Sequence, residues 1–486
     1  MRARRWLALG LLLVGGTRVE GQARVVPEPG APPRRARAVP APRATPPRRP
    51  RAQTKPKVAA KVPATTVPGT KPPLATPASV PVTRAVPAPP SARAPGSELT
   101  VTLITFGVGE AVWERFGHNA LWIHDARRGS DIAYNWGLFD FEQPGFFRRF
   151  LTGDTKYWMG GEDAYAMVQA YHNLGRPITL QKLNLTPAQA LALRDYVERN
   201  ALEENKYYRY DYFRDNCSTR LRDALDRAVG GALRAATDTM HTPLTYRGES
   251  VRLTEGEIPV QAGIDVALGR PADAPLSAWE SFFIPMRLRD ALRIVRVPGA
   301  TGEMVPLVSD ERVMAPPQGA ARVVEARAVP DHTRRNLAAG LSLAAIVMLL
   351  SLLVRSQRWA AWLLALLGMT WSLLCGTLGV VLLLAWLATK HVFWAWNENL
   401  LLLSPLSLVL VVLVPAALLA GRAVRRARVV GIVVALMAVA ALWLTMTPAG
   451  QPNRAIVALF LPAHVALAVA LFLARRRVEP APAHRK

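Results

Sequence analysis

The stretch YDYFRDNCSTRLRD, residues 210–223, contains the one cysteine that lies outside the apolar C-terminal third of the chain. Polar and charged residues surround Cys217, whereas the other cysteine, Cys375, lies in the apolar run WSLLCGTLG. Exported proteins usually pair their cysteines, so a single thiol in a polar setting indicates a reactive group. Cys375 is interpreted as a small buried hydrophobic residue, and the two sulfurs are not expected to pair.

His118, in ERFGHNALW, is the candidate base for this thiol. It begins a predicted strand between a glycine and a small polar residue, which leaves its imidazole exposed beside a site. His124 is an alternative base, because it shares a strand face with Trp122. His172, in AYHNLG, is interpreted as a surface or helix-end residue. The sequence contains no HxH, HExxH or CxxC spacing, so we expect chemistry without a metal or cofactor.

A helix is predicted to position the thiol. Asn216 is a favourable N-cap, which makes Cys217 the first helical residue. Apolar residues then recur at helical spacing, and the pair Gly230 and Gly231 can end the helix. The positive end of the helix dipole is expected to favour the thiolate, and the unpaired N–H groups there would hold an oxyanion.

Strands and a second helix surround these candidates. SELTVTLITFG, HNALWIHD and DIAYNWGLFDF alternate apolar and polar residues and are predicted strands, the last two joined by the turn ARRGS. LTPAQALALRDYVERNALEEN is a predicted helix, with Thr186 as its cap and Pro187 in its first turn. This mixture predicts an α+β domain with an antiparallel sheet. The aromatic run FDFEQPGFF fits either a core or a lip that contacts lipid.

The first hundred residues predict export. MRARRWLALGLLLVGG has a cationic start and a short apolar run, so residues 1–23 are a predicted signal peptide or N-terminal anchor. Residues 24–97 are rich in Pro, Ala and Arg and are a predicted disordered linker. Residues 24–96 hold fourteen Lys or Arg and one acid, which is more than half of the net charge of +25. The basic balance therefore predicts contact with anionic lipid and not with nucleic acid.

Five apolar runs of the C-terminal third are long enough to span a membrane: 337–354, 360–388, 400–420, 429–447 and 455–474. Eleven Lys or Arg flank them on one side and four on the other, which orients the chain by the positive-inside rule. The predicted organisation is an exported domain (98–297), a connector (298–335), a membrane domain (336–475) and a cytoplasmic tail (476–486). The exported domain is expected on the periplasmic side of the inner membrane.

Three long segments resemble a known family. TFGVGEAVWERFGHNALWIHD, AYNWGLFDFEQPGFFRRFLTGDTKYWM and YYRYDYFRDNCSTRLRD, in that order, resemble DUF4105, the periplasmic domain of Lnb-type lipoprotein N-acyltransferases. That domain is similar to the permuted papain-like superfamily, which includes the NlpC/P60 and LRAT-like proteins. The resemblance covers about residues 100–297, and KHVFWAWNENLLLLSPL resembles the family's outward-facing membrane loop.

The resemblance implies a permuted papain-like domain in which Cys217 is the nucleophile and His118 the base. Asn135, in AYNWG, is expected to orient the base, with Asp140 or His124 as alternatives. Asn216 and Ser218 are expected to shape the turn and the oxyanion site.

The membrane loop is expected to serve the same site. His391, Asn397 and Asn399 are predicted to form part of a substrate entrance, with the two asparagines bonding to backbone or lipid ester groups. The alternative is an aromatic belt with a polar turn at the membrane interface.

The implied activity is acyl transfer. A phospholipid would donate an acyl chain to a cysteine thioester, and the N-terminal amine of a diacylated lipoprotein would accept it. The alternatives are a cell-wall peptidase or amidase of the NlpC/P60 type, or a membrane scaffold without activity. A membrane domain of several spans favours a lipid substrate, because a cell-wall enzyme needs only a tether.

Overall fold

The computed structural model describes residues 94–316 and 328–473. The predicted export segment (1–23), all but the last four residues of the predicted linker (24–97) and the predicted tail (476–486) lie outside the described residues. So do residues 317–327, within the predicted connector. The first described range is α+β, as predicted, and the second is helical.

An antiparallel sheet of seven strands organises residues 94–316. The strands of this range are β1 (Leu99–Phe106), β2 (His118–Asp125), β3 (Ser130–Leu138), β4 (Lys156–Asp163), β5 (Ile178–Leu183), β6 (Tyr207–Arg209), β7 (Arg296–Pro298), β8 (Met304–Pro306) and β9 (Val308–Met314). The order across the sheet is β6-β4-β3-β2-β1-β5-β9, and β7 pairs with β8 as a separate hairpin. The three predicted strands correspond to β1, β2 and β3.

Nine α-helices of the same range surround the sheet. They are α1 (Phe146–Thr152), α2 (Ala164–Asn173), α3 (Pro187–Asn200), α4 (Cys217–Ala228), α5 (Ala232–Thr237), α6 (Tyr246–Leu253), α7 (Ile258–Ala267), α8 (Ala278–Ser281) and α9 (Pro285–Leu292). The start of α3 is capped as predicted, since the side chain of Thr186 accepts from Gln189 N and the side chain of Gln189 accepts from Thr186 N.

Strand alternation divides the apolar side chains between two cores. Leu121 of β2 and Trp136 of β3 lie in a core with Leu193 of α3 and Leu221 of α4. Side chains of the opposite face pack with α2 in a smaller core, which contains Phe106, Ala120, Ala133 and Met167. Helices α3 and α4 therefore cover one face of the sheet, and α2 covers the other.

Residues 328–473 contain five α-helices: α10 (Thr333–Leu353), α11 (Arg358–Ala388), α12 (Ser407–Leu419), α13 (Val424–Thr445) and α14 (Arg454–Leu473). Four of them, α10, α11, α13 and α14, have 20 to 31 residues and are apolar enough to cross a membrane. This range therefore makes the chain a multi-pass membrane protein.

The predicted third span, 400–420, is not one continuous helix. Residues Glu398–Leu401 form a 3-10 turn, and α12 begins only after Pro405, since a proline disfavours helical geometry at the residue before it. The 13 residues of α12 extend about 20 Å at 1.5 Å per residue, which is shorter than the thickness of a hydrocarbon core, about 30 Å.

The predicted second span, 360–388, contains Gly376 and Gly379. Helix α11 is continuous through both residues. A Cβ on Gly379 would lie 2.0 Å from the carbonyl oxygen of Leu403, and one on Gly376 would lie 2.6 Å from Leu408. The two glycines therefore allow the start of α12 and the segment before it to pack against α11.

Candidate functional site

The N-terminus of α4 presents Cys217. Oδ1 of Asn216 accepts hydrogen bonds from the backbone N–H groups of Ser218 and Thr219, each at 2.9 Å. Both amide hydrogens of Asn216 are also engaged, by two backbone carbonyl oxygens at 3.0 and 2.9 Å. Asn216 is therefore the N-cap, as predicted, and it shapes the turn without an amide hydrogen left over for an oxyanion.

Ser218 connects the start of α4 to the start of β2. Its hydroxyl donates to the carbonyl oxygen of Phe282 at 2.6 Å and accepts from Nδ2 of Asn119 at 3.2 Å. Ser218 and Asn119 are fully buried. The backbone N–H groups of Asn119, Ser218 and Cys217 act on the Cys217 thiol and lower its pKa. The thiol is thus held against the residue that follows His118.

His118 is paired with Asn135 on the neighbouring strand. Nε2 of His118 lies 3.3 Å from Oδ1 of Asn135, which is 1% exposed. An amide oxygen only accepts, so the contact assigns the proton to Nε2 and leaves the lone pair on Nδ1. The ring also stacks near Phe106 and Tyr171 at centroid distances of 6.2 and 6.1 Å. Asn135 therefore fixes the tautomer that a general base needs.

Strands β2 and β3 separate where His118 and Asn135 meet. The pairing of β2 with β3 ends at Leu121 and Tyr134. Beyond it, β3 becomes irregular around Gly137, whose φ is +91°. A Cβ on Gly137 would lie 3.3 Å from the Cβ of Cys217. The first residue of α4 therefore packs against the backbone of β3 at the position where a side chain would crowd it.

Burial sets the protonation of the pair. Burial raises the pKa of the Cys217 thiol to about 11, although the three backbone N–H groups and the charge of Arg176 act in the opposite direction. Burial and the same Arg176 charge lower the pKa of His118 to about 4. Desolvation therefore opposes the thiolate expected at the helix end, because it outweighs the N–H groups there. Cys217 and His118 are both neutral at pH 7.

The positive charge of Arg176 lowers the pKa of both Cys217 and His118. Arg176 is 3% exposed and donates from Nε and Nη2 to the carbonyl oxygen of Gly107 at 2.9 and 2.7 Å. Its guanidinium lies 4.8 Å from the Tyr171 ring centroid, and Nη1 lies 3.9 Å from a carboxylate oxygen of Glu114. A buried cation at this position stabilises a negative charge that develops on the Cys217 sulfur.

The comparisons with known proteins decide the family. Residues 88–249 match the family model of the Lnb N-terminal periplasmic domain. Residues 88–249 are therefore an Lnb-type domain. No curated protein and no solved structure matches it. The matched range of this Lnb-type chain contains His118, Asn135 and Cys217, whereas the membrane helices lie beyond it.

The alternative candidates of the Lnb-type domain form hydrogen bonds or contacts with other residues. Nδ1 of His124 lies 3.0 Å from Oδ1 of Asp131 on β3. His124 is six residues along β2 from His118, which is about 20 Å at 3.3 Å per residue. Asp140 accepts from the backbone N–H of Glu142 at 2.7 Å in an exposed turn. His172 is the penultimate residue of α2, in agreement with its interpretation as a helix-end residue. Asn135 is therefore the candidate that the fold brings to His118.

The membrane loop of the Lnb-type chain is fastened to the soluble domain. Nδ2 of Asn397 donates to the carbonyl oxygens of Val266 and Ala267, each at 2.9 Å, and Nδ2 of Asn399 donates to Val266 at 3.0 Å. Both asparagines are buried. Nε2 of His391 lies 3.0 Å from the carbonyl oxygen of Phe150. The two amides thus bond to backbone, one of the two options expected, and the role of this loop as an entrance stays a prediction.

Sequence reasoning missed Asn119, Gly137 and Arg176. Asn119 alternates with Leu121 onto the inward face of β2, and a polar residue in that row is the signal that could have found it. Gly137 and Arg176 carry no such signal, because their proximity to the site depends on the ends of β3 and β5 in space. Within the described ranges, no three His, Cys, Asp or Glu side chains are grouped as metal ligands.

Proposed function

We propose that this Lnb-type protein is a membrane-bound thiol acyltransferase. It moves an acyl chain from a glycerophospholipid to the N-terminal amine of a diacylated lipoprotein. The observation that carries the proposal is the arrangement of Cys217, the Asn119 N–H group, His118 and Asn135 at the start of α4. A nucleophile, a base and an orienting group are the parts that covalent acyl transfer needs.

In the first half-reaction, Nδ1 of His118 accepts the thiol proton as the Cys217 sulfur attacks the ester carbonyl of the phospholipid. Asn135 holds the ring through Nε2 while the ring is transiently charged. The backbone N–H groups of Cys217 and Asn119, which lower the pKa of the thiol, would stabilise the adjacent oxyanion. The C–O bond then breaks, His118 returns the proton to the leaving alcohol, and an acyl thioester and a lysophospholipid remain.

In the second half-reaction, the lipoprotein α-amine attacks the thioester carbonyl. His118 accepts a proton from the amine and the C–S bond breaks, which gives an amide and restores the Cys217 thiol after proton return. Because the resting pair is neutral, His118 is available as a base at the start of each half-reaction. Water in place of the amine would give only a phospholipase.

The proposal includes a permuted papain-like fold for the domain. A base on a strand that precedes the nucleophile-bearing helix in the chain is the order that this fold requires, and His118 on β2 precedes Cys217 on α4. The antiparallel sheet with the nucleophile at a helix N-terminus supports the same assignment.

The proposal also includes five membrane crossings. The start of α10 contacts the soluble domain, since Nε2 of His332 lies 2.8 Å from Oε1 of Gln261. The segments after α11 and after α13 meet, because Nδ2 of Asn453 donates to Oδ1 of Asn399 at 2.7 Å. Helix α12 must therefore run from the domain side to the side where α13 begins, which counts as a crossing although the helix is short.

The charges near the helix ends support a periplasmic domain and an inner-membrane location. Of the described residues, the cations at the end of α10 and the start of α11, and those between α12 and α13, lie away from the domain: Arg355, Arg358, Arg422, Arg425, Arg426 and Arg428. Fewer cations flank the domain side, as the positive-inside rule expects for the outer face. A cysteine at position 396, where Trp396 is 64% exposed, tests the side by labelling with a membrane-impermeant reagent.

Mass spectrometry of a reporter lipoprotein's N-terminal peptide tests the activity. The host lacks its own N-acyltransferase and expresses either the wild-type chain or the Cys217→Ala variant. We expect a third acyl chain, on the amine, only with the wild-type chain. Unchanged reporter together with cleaved cell-wall peptides would favour the peptidase, and neither product would favour the scaffold.

A further inference from the structure

A group of large apolar side chains near the site is exposed. Five of them are 42% to 62% exposed and form the surface called here the aromatic lip: Trp113, Phe141, Phe147, Phe150 and Leu151. Trp113 packs edge-on against Phe141 at 6.1 Å, and the buried Phe146 contacts Phe141, Phe147 and Phe150 at 5.2 to 6.2 Å. The exposure excludes an ordinary core, and a contiguous apolar surface of this kind marks an interaction site.

The aromatic lip is attached to the end of a membrane span. The backbone N–H of Lys390 donates to the carbonyl oxygen of Thr152 at 2.8 Å, and Nζ of Lys390 lies 2.8 Å from Asp154. A Cβ on Gly153 would lie 3.1 Å from the backbone of His391. Since α11 ends at Ala388, α1 is held within a few residues of the point where this span leaves the hydrocarbon.

The surface next to this attachment has the composition of a membrane interface. Leu387 is 69% exposed at the end of α11, and the exposed Trp396 packs on Trp386 at 5.0 Å. Tryptophans at a span end are typical of the headgroup level. The aromatic lip therefore continues an apolar belt that already belongs to the bilayer.

Cations accompany the aromatic residues of α1. Arg148 is exposed, and neither Arg148 nor Arg149 forms an ion pair within the described ranges. Arg149 donates to Oε1 of Gln143 at 2.9 Å. Aromatic and aliphatic side chains beside arginines that form no ion pair within the described ranges are typical of a segment that lies in the interface and attracts anionic headgroups.

We propose that the aromatic lip inserts into the lipid interface of the leaflet at which α11 ends. Its occupant is the bilayer itself, because the lip continues the apolar belt of α11 and adds cations that complement anionic lipid. Phe139 packs edge-on against Phe141 of the lip at 4.9 Å and lies two residues beyond Gly137, so aromatic side chains connect the lip to the segment beside Cys217. This membrane contact is independent of whether Cys217 transfers an acyl chain.

Spin-label accessibility of the full-length protein tests the proposal. The variant Cys217→Ala, Cys375→Ala removes both cysteines of the chain. A nitroxide is then attached at Phe147→Cys, and the protein is reconstituted into vesicles of phosphatidylethanolamine and phosphatidylglycerol. Collision rates with oxygen, which concentrates in the bilayer, and with a water-soluble nickel complex are measured. Because this background has no nucleophile, the result does not depend on the proposed activity.

Arg127→Cys is the matched control. Arg127 is exposed in the turn after β2, about 25 Å along the strand from His118 at 3.3 Å per residue. We expect the oxygen-to-nickel ratio at position 147 to exceed that at position 127 several-fold, with the same result at Leu151→Cys. Equal ratios at 147, 151 and 127 would overturn the proposal. Low collision rates with both oxygen and the nickel complex at positions 147 and 151 would also overturn the proposal, because they would show that a protein partner covers the aromatic lip.

Discussion

Gly137 and Cys217 touch across the end of the sheet: a Cβ added to Gly137 would lie 3.3 Å from the Cβ of Cys217. Gly137 also has a φ of +91°, which other residues rarely adopt. Cys217 thus lies against a backbone segment with no side chain, at the point where β2 and β3 separate. The identity of residue 137 should therefore control the position of the thiol.

The variant Gly137→Ala should reduce acyl transfer at least tenfold, because the added methyl group displaces Cys217 from His118 and the backbone is strained. The matched control is Gly129→Ala. Gly129 has a φ of +65°, but no atom lies within 4 Å of its added Cβ, so the control adds strain without the contact. Reporter N-acylation and the thermal unfolding temperature are measured for both. Equal losses of activity would assign the effect to backbone strain and not to the contact.

The nucleophile can be tested with the two cysteines of the chain. Cys217→Ala and Cys217→Ser should abolish thioester formation and leave the protein in the membrane, because Cys217 is partly exposed at a helix end. Cys375 is buried within α11, and Cys375→Ala should retain activity. The thioester is measured by intact-protein mass spectrometry after incubation with phospholipid. Full turnover by Cys217→Ser would refute a thioester mechanism.

The two histidines of β2 should differ in their effects. His118→Ala should lower the rate by about two to four orders of magnitude, the usual contribution of a general base. His124→Ala should have little effect, because its imidazole pairs with Asp131 at the far end of the strand. Asn135→Ala should fall between them, since it removes only the orienting contact at 3.3 Å. Single-turnover kinetics would give the ranking, and a larger loss for His124→Ala would move the base.

The local elements of this chain were predictable because their signals are local. Alternation and β-branching predict β1 to β3, Thr186 and Pro187 predict the start of α3, and Asn216 predicts the start of α4. The α+β class follows from the same patterns. The pairing of His118 with Asn135 was expected from a family resemblance, and the register of β2 and β3 gives it a physical basis.

The departures from the sequence predictions depend on neighbours distant in sequence. A helix N-terminus favours a thiolate in water, but the cover provided by the surrounding sheet and loops raises the pKa of Cys217. The five apolar runs remain the proposed crossings, but the helix of the third run has only the 13 residues of α12, which begins after Pro405. Gly137 and Arg176 reach the site only through the packed ends of the strands.

The pH dependence of thiol reactivity follows from the two shifted groups. With a pKa of about 11, Cys217 loses its proton only at high pH, so each pH unit below that value leaves about one tenth of the thiolate. Alkylation by a small neutral reagent should therefore rise about tenfold per pH unit between pH 6 and pH 10. His118, with a pKa of about 4, is already neutral over this range and should add no step near pH 6.5. The Cys217→Ala variant gives the background rate. A plateau below pH 7 would show a resting thiolate and contradict the neutral pair.

The fastening of the membrane loop gives the last prediction. The double variant Asn397→Ala, Asn399→Ala leaves the partly buried carbonyl oxygens of Val266 and Ala267 without these donors, at a cost of at most about 1–3 kcal/mol for each unsatisfied group. It should slow acyl transfer from bilayer lipid several-fold, while alkylation of Cys217 by a small water-soluble reagent stays unchanged.

Hydrogen exchange separates the two roles of the loop. If the amides fasten the domain, residues 264–270 should exchange faster in the variant, since the bond from Gly269 N to the carbonyl oxygen of Phe393 loosens with them. If the amides instead bind lipid at an entrance, exchange of this segment should match the wild-type protein, and the fastening role would be wrong. Asn453→Ala is the matched control, because it removes a partner of Asn399 and leaves the bonds to the domain intact.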